Sequence, residues 1–240
     1  MRNARHKAEQ DLSRVLGFWT EERSLSVMLA LLLLHFFVLT PGGFLGRAFH
    51  LTGALFLSFA LLAGILTLAR QTLVRRFGIF LVAGAVAFRT AAVFRDTPWI
   101  VLGDTLFTLL SLAALVTVVL VQVSQEGPVS GHRIRGAIAL YLLIAILFAF
   151  LYGLAEEVAP GAFNIPASLA PGRTARGETF YYFSVVTLTT VGFGDITAVH
   201  PIVRSLVMLE ALIGQLYPAI LIARLVTLQL ETRRSGSDRS

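Results

Sequence analysis

Thr187–Asp195 reads TLTTVGFGD, and this stretch decides the fold because it interrupts two of the most apolar segments in the chain. Two glycines flank an aromatic residue, threonines and a valine precede them, and an acid follows. Just before it, Glu178–Leu188 has no helix breaker and carries Phe180, Tyr181, Tyr182, Phe183, Val185 and Val186. A helix of that length makes about three turns, too short for a bilayer that needs about 20 residues. A short aromatic helix followed by glycine-containing backbone has the form of a re-entrant loop. Such backbone is tolerated at membrane depth only where it is buried in protein or lines water.

The composition agrees with a membrane setting. Of the 240 residues, 56% are hydrophobic and 14% charged, well below the roughly 25% charged of a soluble domain. There is no cysteine, which removes disulfides, thiol nucleophiles and zinc–thiolate sites. The net charge of +6 resides in basic residues gathered at the ends of apolar runs, so membrane topology accounts for it and nucleic acid is not implied. Six apolar segments are expected to span, at Ser24–Thr40, Leu51–Ala69, Phe77–Phe94, Trp99–Val123, Gly136–Leu154 and Pro201–Leu230. The basic N-terminal region lacks a small-residue cleavage site, so the first segment reads as a retained span.

Basic residues set the orientation. Only Arg47, Arg95, Arg173 and Arg176 fall in outer loops when the N-terminus is placed inside. Arg2, Arg5, Lys7, Arg14, Arg23, Arg70, Arg75, Arg76, Arg133, Arg135, Arg224, Arg233, Arg234 and Arg239 fall on the inner side. Both termini are therefore expected in the cytoplasm of a multi-pass protein of the cell membrane, of bacterial inner-membrane type. The expected units are a cytoplasmic arm over 1–23, a four-helix membrane domain over 24–125, a pore domain over 126–231 and a short tail over 232–240.

Placed after a short aromatic helix and between two spans, "TTVGFGD" resembles the selectivity filter of the potassium-channel pore family. The likeness covers about Gly136–Leu230. It implies an all-α membrane protein with a re-entrant pore helix and filter between the fifth and sixth spans, acting as a channel and not as an enzyme. By that resemblance the carbonyls of Thr190, Val191, Gly192 and Phe193, with the Thr190 hydroxyl and Gly194, hold K⁺, the permeant ion; no other cofactor is implied. Carbonyls can replace a hydration shell without the full charge that would trap the ion. Pointing successive carbonyls at one axis requires alternating unusual backbone conformations, which Gly192 and Gly194 adopt without a Cβ clash. Thr189, Tyr182, Phe183 and Val186 are expected to support the filter, and Asp195 to close its outer mouth. One such motif per chain implies a homotetramer in the lipid bilayer.

Two departures from the family pattern stand out. Phe193 occupies a position that is usually tyrosine, and Val186 occupies one where some members carry a glutamate that pairs with the following aspartate. Asp195 then needs another partner, or water.

Outside the motif, Gly214 and Pro218 are expected to hinge the sixth span, because proline leaves the carbonyl four residues back without a helical donor. The fourth segment lacks the regularly spaced arginines of a voltage-gated relative, and Asp104 is its one ionisable residue. Arg89 and Asp104 both fall about 7 Å below the outer boundary, so an ion pair tying the third segment to the fourth is expected. His35 reads as a packed histidine, and His132 and His200 as caps.

Two alternatives remain at this level. A weakly selective monovalent cation channel would use the same loop. Gly192-Phe193-Gly194-Asp195 also fits the GxGD pattern of intramembrane aspartyl proteases, with Pro218-Ala219-Ile220 approximating their downstream motif. That chemistry needs a second aspartate sharing a proton at matching depth, and Gly136–Leu154 offers no acid.

Overall fold

The computed structural model describes residues 25–40, 47–69, 71–95, 97–124, 131–169 and 173–237. The N-terminal arm over 1–23, Arg70 and Arg239 lie outside the described residues. So do the side chains of Arg47, His132, Arg173, Arg176, Arg233 and Arg234.

The described chain is nearly all helical. In order come α1 (Leu25–Leu39), α2 (Arg47–Leu68), α3 (Thr72–Phe94), α4 (Pro98–Ser124) and α5 (Gly131–Val158). A two-residue strand β1 (Phe163–Asn164) precedes α6 (Arg173–Leu188). A second, β2 (Thr197–Ala198), precedes α7 (Pro201–Ser237). Five of these helices, α2 to α5 and α7, are long and apolar enough to cross a membrane. The expected first span is the shorter apolar helix α1. Its last turn widens to a π-helix over His35–Leu39, where the Thr40 N–H bonds back to the His35 carbonyl.

Several helices extend beyond their apolar runs because flanking polar residues still form backbone bonds. α7 continues to Ser237, past the expected end at Leu230, so the expected tail is mostly helical. α6 begins at Arg173, before the expected start at Glu178. At 16 residues it reaches about 24 Å, still short of a span.

Two cores organise the molecule. In the first, Leu25, Met28 and Leu32 of α1 meet Leu57, Leu61 and Ile65 of α2. Leu112, Leu115 and Val119 of α4 and Leu140, Leu143 and Ile146 of α5 complete it. The spacings of three and four place each set on one helix face. In lipid this packing gains close contact and not water exclusion, since acyl chains are as apolar as leucine.

The second core is aromatic and lies under the loop. Tyr152 of α5, Phe163 of β1, and Phe180 and Phe183 of α6 pack together. Phe163 is centred 4.9 Å from Phe180, and Tyr152 5.1 Å from Phe183. β1 and β2 pair antiparallel, Phe163 with Ala198 and Asn164 with Thr197. That pairing ties the segment after α5 to the segment before α7. Glu156 reinforces it by accepting bonds from the N–H groups of Gly161 and Phe163.

Candidate functional site

The end of α6 is built as a Schellman cap. The Thr190 N–H bonds the Thr187 carbonyl at 2.9 Å, and the Val191 N–H bonds the Val186 carbonyl at 3.0 Å. Together these are the paired bonds of that motif, with residue 190 in the left-handed position. Glycine is usual there, but this chain places Thr190 at φ 60°. The left-handed region costs an L-residue roughly 1–2 kcal/mol, and such strain is held where the surroundings over-determine it.

Positive φ then recurs at every second residue, with Gly192 at 57° and Gly194 at 77°. The alternation over 190, 192 and 194 is the local signature of this loop. Thr189 continues the helix by returning its hydroxyl to the Val185 carbonyl at 2.7 Å. Residues 189–195 are all exposed within the single chain, including the apolar side chains of Val191 and Phe193.

The last carbonyls of α6 are accounted for. Those of Val186 and Thr187 serve the cap. The Leu188 carbonyl accepts the Tyr141 hydroxyl of α5 at 3.0 Å. The backbone of α7 presses on the same point, since a Cβ on Gly214 would lie 1.8 Å from the Leu188 oxygen. Gly214 therefore has a contact role in addition to any hinge role. α7 runs as a continuous helix through Pro218.

Behind the loop, Asp195 finds the partner that sequence left open. Its Oδ2 accepts the Tyr182 hydroxyl at 2.7 Å, and its Oδ1 accepts the Ile196 N–H at 3.0 Å. The Tyr182 ring lies parallel to Phe193, with centroids 6.5 Å apart. Phe183 is buried in the aromatic core, and Val186 contributes its carbonyl to the cap. The structure thus brings Thr189, Thr190, Val191, Gly192, Phe193, Gly194, Asp195, Tyr182 and Val186 into one loop, with Gly214 against its base.

Two acids near the loop are buried and form no ion pair with a described residue. Glu178 of α6 has both carboxyl oxygens buried and without a hydrogen-bond partner, and burial pushes it up to about 7. Glu210 of α7 is fully buried and bonded to Tyr152 of α5 and Ser184 of α6. Sequence reasoning passed over Glu210, although an acid in the middle of an apolar span marks a site by default.

The remaining pair lies outside the loop. Arg89 Nη2 is 3.0 Å from Asp104 Oδ1, linking α3 to α4. The same guanidinium donates to Ser58 at 2.7 Å and Thr108 at 3.0 Å, and to the Ala54 carbonyl. His35 is buried, with Nε2 3.2 Å from the Tyr181 hydroxyl, so α1 touches α6. His200 caps α7, its Nδ1 accepting the Ile202 N–H at 3.3 Å.

These features define a class: a multi-pass helical membrane protein whose last two long helices carry a short helix and a glycine-containing loop between them. Residues 137–230 match the family described as "Ion channel". This part of the chain is thus similar to an ion-channel domain, and the match agrees with the resemblance of its loop to the potassium-channel pore family. The curated relatives include Protein LctB of Bacillus caldotenax, 32% identical over 87 residues, 36% of this chain and 64% of the relative. Protein LctB of Geobacillus stearothermophilus is 36% identical over 80 residues, 33% of this chain and 59% of the relative. The chain thus spans less than two thirds of the length of these relatives. No solved structure matches it.

Proposed function

We propose that the protein is the subunit of a potassium-selective channel, conducting K⁺ passively through a filter formed by Thr190, Val191, Gly192, Phe193 and Gly194. The observation that carries this reading is the alternation of positive φ at 190, 192 and 194. Alternating handedness is the backbone condition under which successive carbonyls face one side, where they replace the hydration shell of a cation. The reading is homotetrameric, because one strand of carbonyls covers only part of an ion. The open face of the loop supports it, as does α7, the least covered of the long helices at 11% buried over Pro201–Arg224.

In this arrangement α6 is a re-entrant pore helix whose C-terminal dipole faces the ion path. α1 completes six spans, and both termini lie in the cytoplasm of a cell-membrane protein. Gly214 and Pro218 form the bending point of the pore-lining helix, and Arg89–Asp104 tethers the first four helices. No catalytic step is assigned to Asp195, whose two oxygens are engaged by Tyr182 and Ile196.

The test is the reversal potential of the purified protein in liposomes under opposed K⁺ and Na⁺ gradients. Reversal near the K⁺ equilibrium potential is expected. A reversal at zero with equal total cation means a weakly selective cation channel, the reading that the missing Phe193 hydroxyl would favour. Gly192→Ala forces an alanine into the left-handed region and is expected to abolish current while tetramers persist. Undiminished current removes the filter assignment.

A further inference from the structure

A fully buried carboxyl sits where the three elements of the pore domain meet. Glu210 of α7 has Oε2 2.5 Å from the Tyr152 hydroxyl of α5 and Oε1 2.5 Å from the Ser184 hydroxyl of α6. Ser184 Oγ is also 2.7 Å from the Ala145 carbonyl of α5. Glu210 has 0% of its surface exposed within its own chain, so a neighbouring copy would not reach it.

Counting hydrogens decides the state of this group. A carbonyl oxygen only accepts, and a serine hydroxyl brings a single hydrogen. If Ser184 donates to Ala145, the contact between Ser184 and Oε1 must be supplied by a hydrogen on the carboxyl. If Ser184 instead donates to Glu210, two acceptor oxygens face each other at 2.7 Å with nothing between them. The first arrangement satisfies every contact: carboxyl to Ser184, Ser184 to Ala145, Tyr152 to carboxyl.

Charge points the same way. An ionised carboxylate out of water needs a cation or several donors, and Glu210 forms no ion pair with a described residue. The groups facing it are Tyr152 and, at longer range, Tyr141 from α5, and Ser184 from α6. On α7 itself Arg204 is bonded to the Ala198 carbonyl and Arg224 to the carbonyls of Val123 and Ser124.

We infer that Glu210 is held protonated and acts as a positioning residue: a neutral carboxyl that pins the pore helix α6 to both long helices beside it. Because α6 runs directly into the 189–195 loop, the seat of that loop depends on one proton. Loss of the proton would leave a buried anion and break the Ser184–Ala145 relay, loosening α6.

The experiment compares wild type, Glu210→Gln and Glu210→Ala as full-length protein in lipid. A glutamine amide can donate to Ser184 and accept from Tyr152, as a protonated carboxyl does. Glu210→Gln is therefore expected to keep the wild-type melting temperature, whereas Glu210→Ala melts clearly lower. The infrared spectrum of wild type at neutral pH is expected to contain a protonated-carboxyl band that Glu210→Gln removes. Ion flux in wild type should fall at alkaline pH, and in Glu210→Gln this loss should be absent. An infrared difference without that band, or a Glu210→Gln protein that melts as low as Glu210→Ala, overturns the inference. Melting and infrared readouts do not depend on which ion passes, so failure of potassium selectivity is separately visible.

Discussion

Arg89 and Glu210 are both buried inside an apolar bundle, and their surroundings differ in kind. Arg89, between α3 and α4, is met by the carboxylate of Asp104, two hydroxyls and a carbonyl. Every neighbour is an acceptor, the arrangement a fixed positive charge requires. Glu210, between α5, α6 and α7, is met by two hydroxyls. The first site neutralises its charge with a partner, and the second has a group able to neutralise itself with a proton. The lesson concerns adjustability. An arginine does not lose its charge in a protein, so the α3–α4 site is a permanent tie, while a carboxyl tie can be released.

The strongest way to break this contrast is Arg89→Ala. It leaves Asp104 without its cation and the Ser58 and Thr108 hydroxyls without their shared donor. Removing one partner of a buried pair costs about 3–5 kcal/mol, so the solubilised protein should melt far below wild type. Arg89→Ala combined with Asp104→Ala should recover part of the loss, because no unpaired charge remains. A single variant that melts like wild type would remove the tether.

The difference between the two sites also explains what could be read in advance. Arg89 and Asp104 carry opposite charges at matched depth on consecutive segments, and charge with depth is visible in a sequence. Glu210 pairs with Tyr152 and Ser184, whose hydroxyls carry no charge signature and whose helices lie far apart in sequence. The loop was legible because glycine at 192 and 194 reports φ directly. Thr190 in the left-handed region was not, since its conformation comes from the Schellman bonds and not from its residue type. The contact role of Gly214 was equally hidden: proline four residues on suggested a bend, and only the packing of α7 on Leu188 reveals the second function. The start of α6 at Arg173 was missed because its first turns are polar.

Glu178 sharpens the contrast at smaller scale. It is a second acid near the loop with no ion pair to a described residue, and burial raises it to about 7. An acid whose folded value is raised favours folding least when ionised. Below about pH 4.5 it is neutral in both states and costs nothing. As pH rises towards 7 the unfolded chain ionises more readily, and the penalty is complete above 7. Glu178→Gln should therefore melt above wild type at pH 8 and level with it at pH 4. The test is a pair of melting series across pH. A constant offset at all pH values would show that ionisation of Glu178 has no part in stability.

Tyr182→Phe is the mildest change and addresses the loop itself. It removes the hydroxyl that Asp195 accepts at 2.7 Å but leaves the ring parallel to Phe193. Asp195 is exposed and keeps the Ile196 N–H, so water replaces the lost donor and stability should fall by no more than about 1 kcal/mol. The effect should instead appear in conduction. In this chain Phe193 brings no hydroxyl, so the Tyr182–Asp195 bond is a polar link between α6 and the C-terminal end of the loop. Without it, the current carried by reconstituted protein should decline faster under sustained driving force. Phe193→Tyr, which adds a hydroxyl beside the same bond, should slow that decline. If neither variant alters the time course, the loop is held by its backbone alone: the Schellman cap at Thr190 and the β1–β2 pairing would then be the supports to remove.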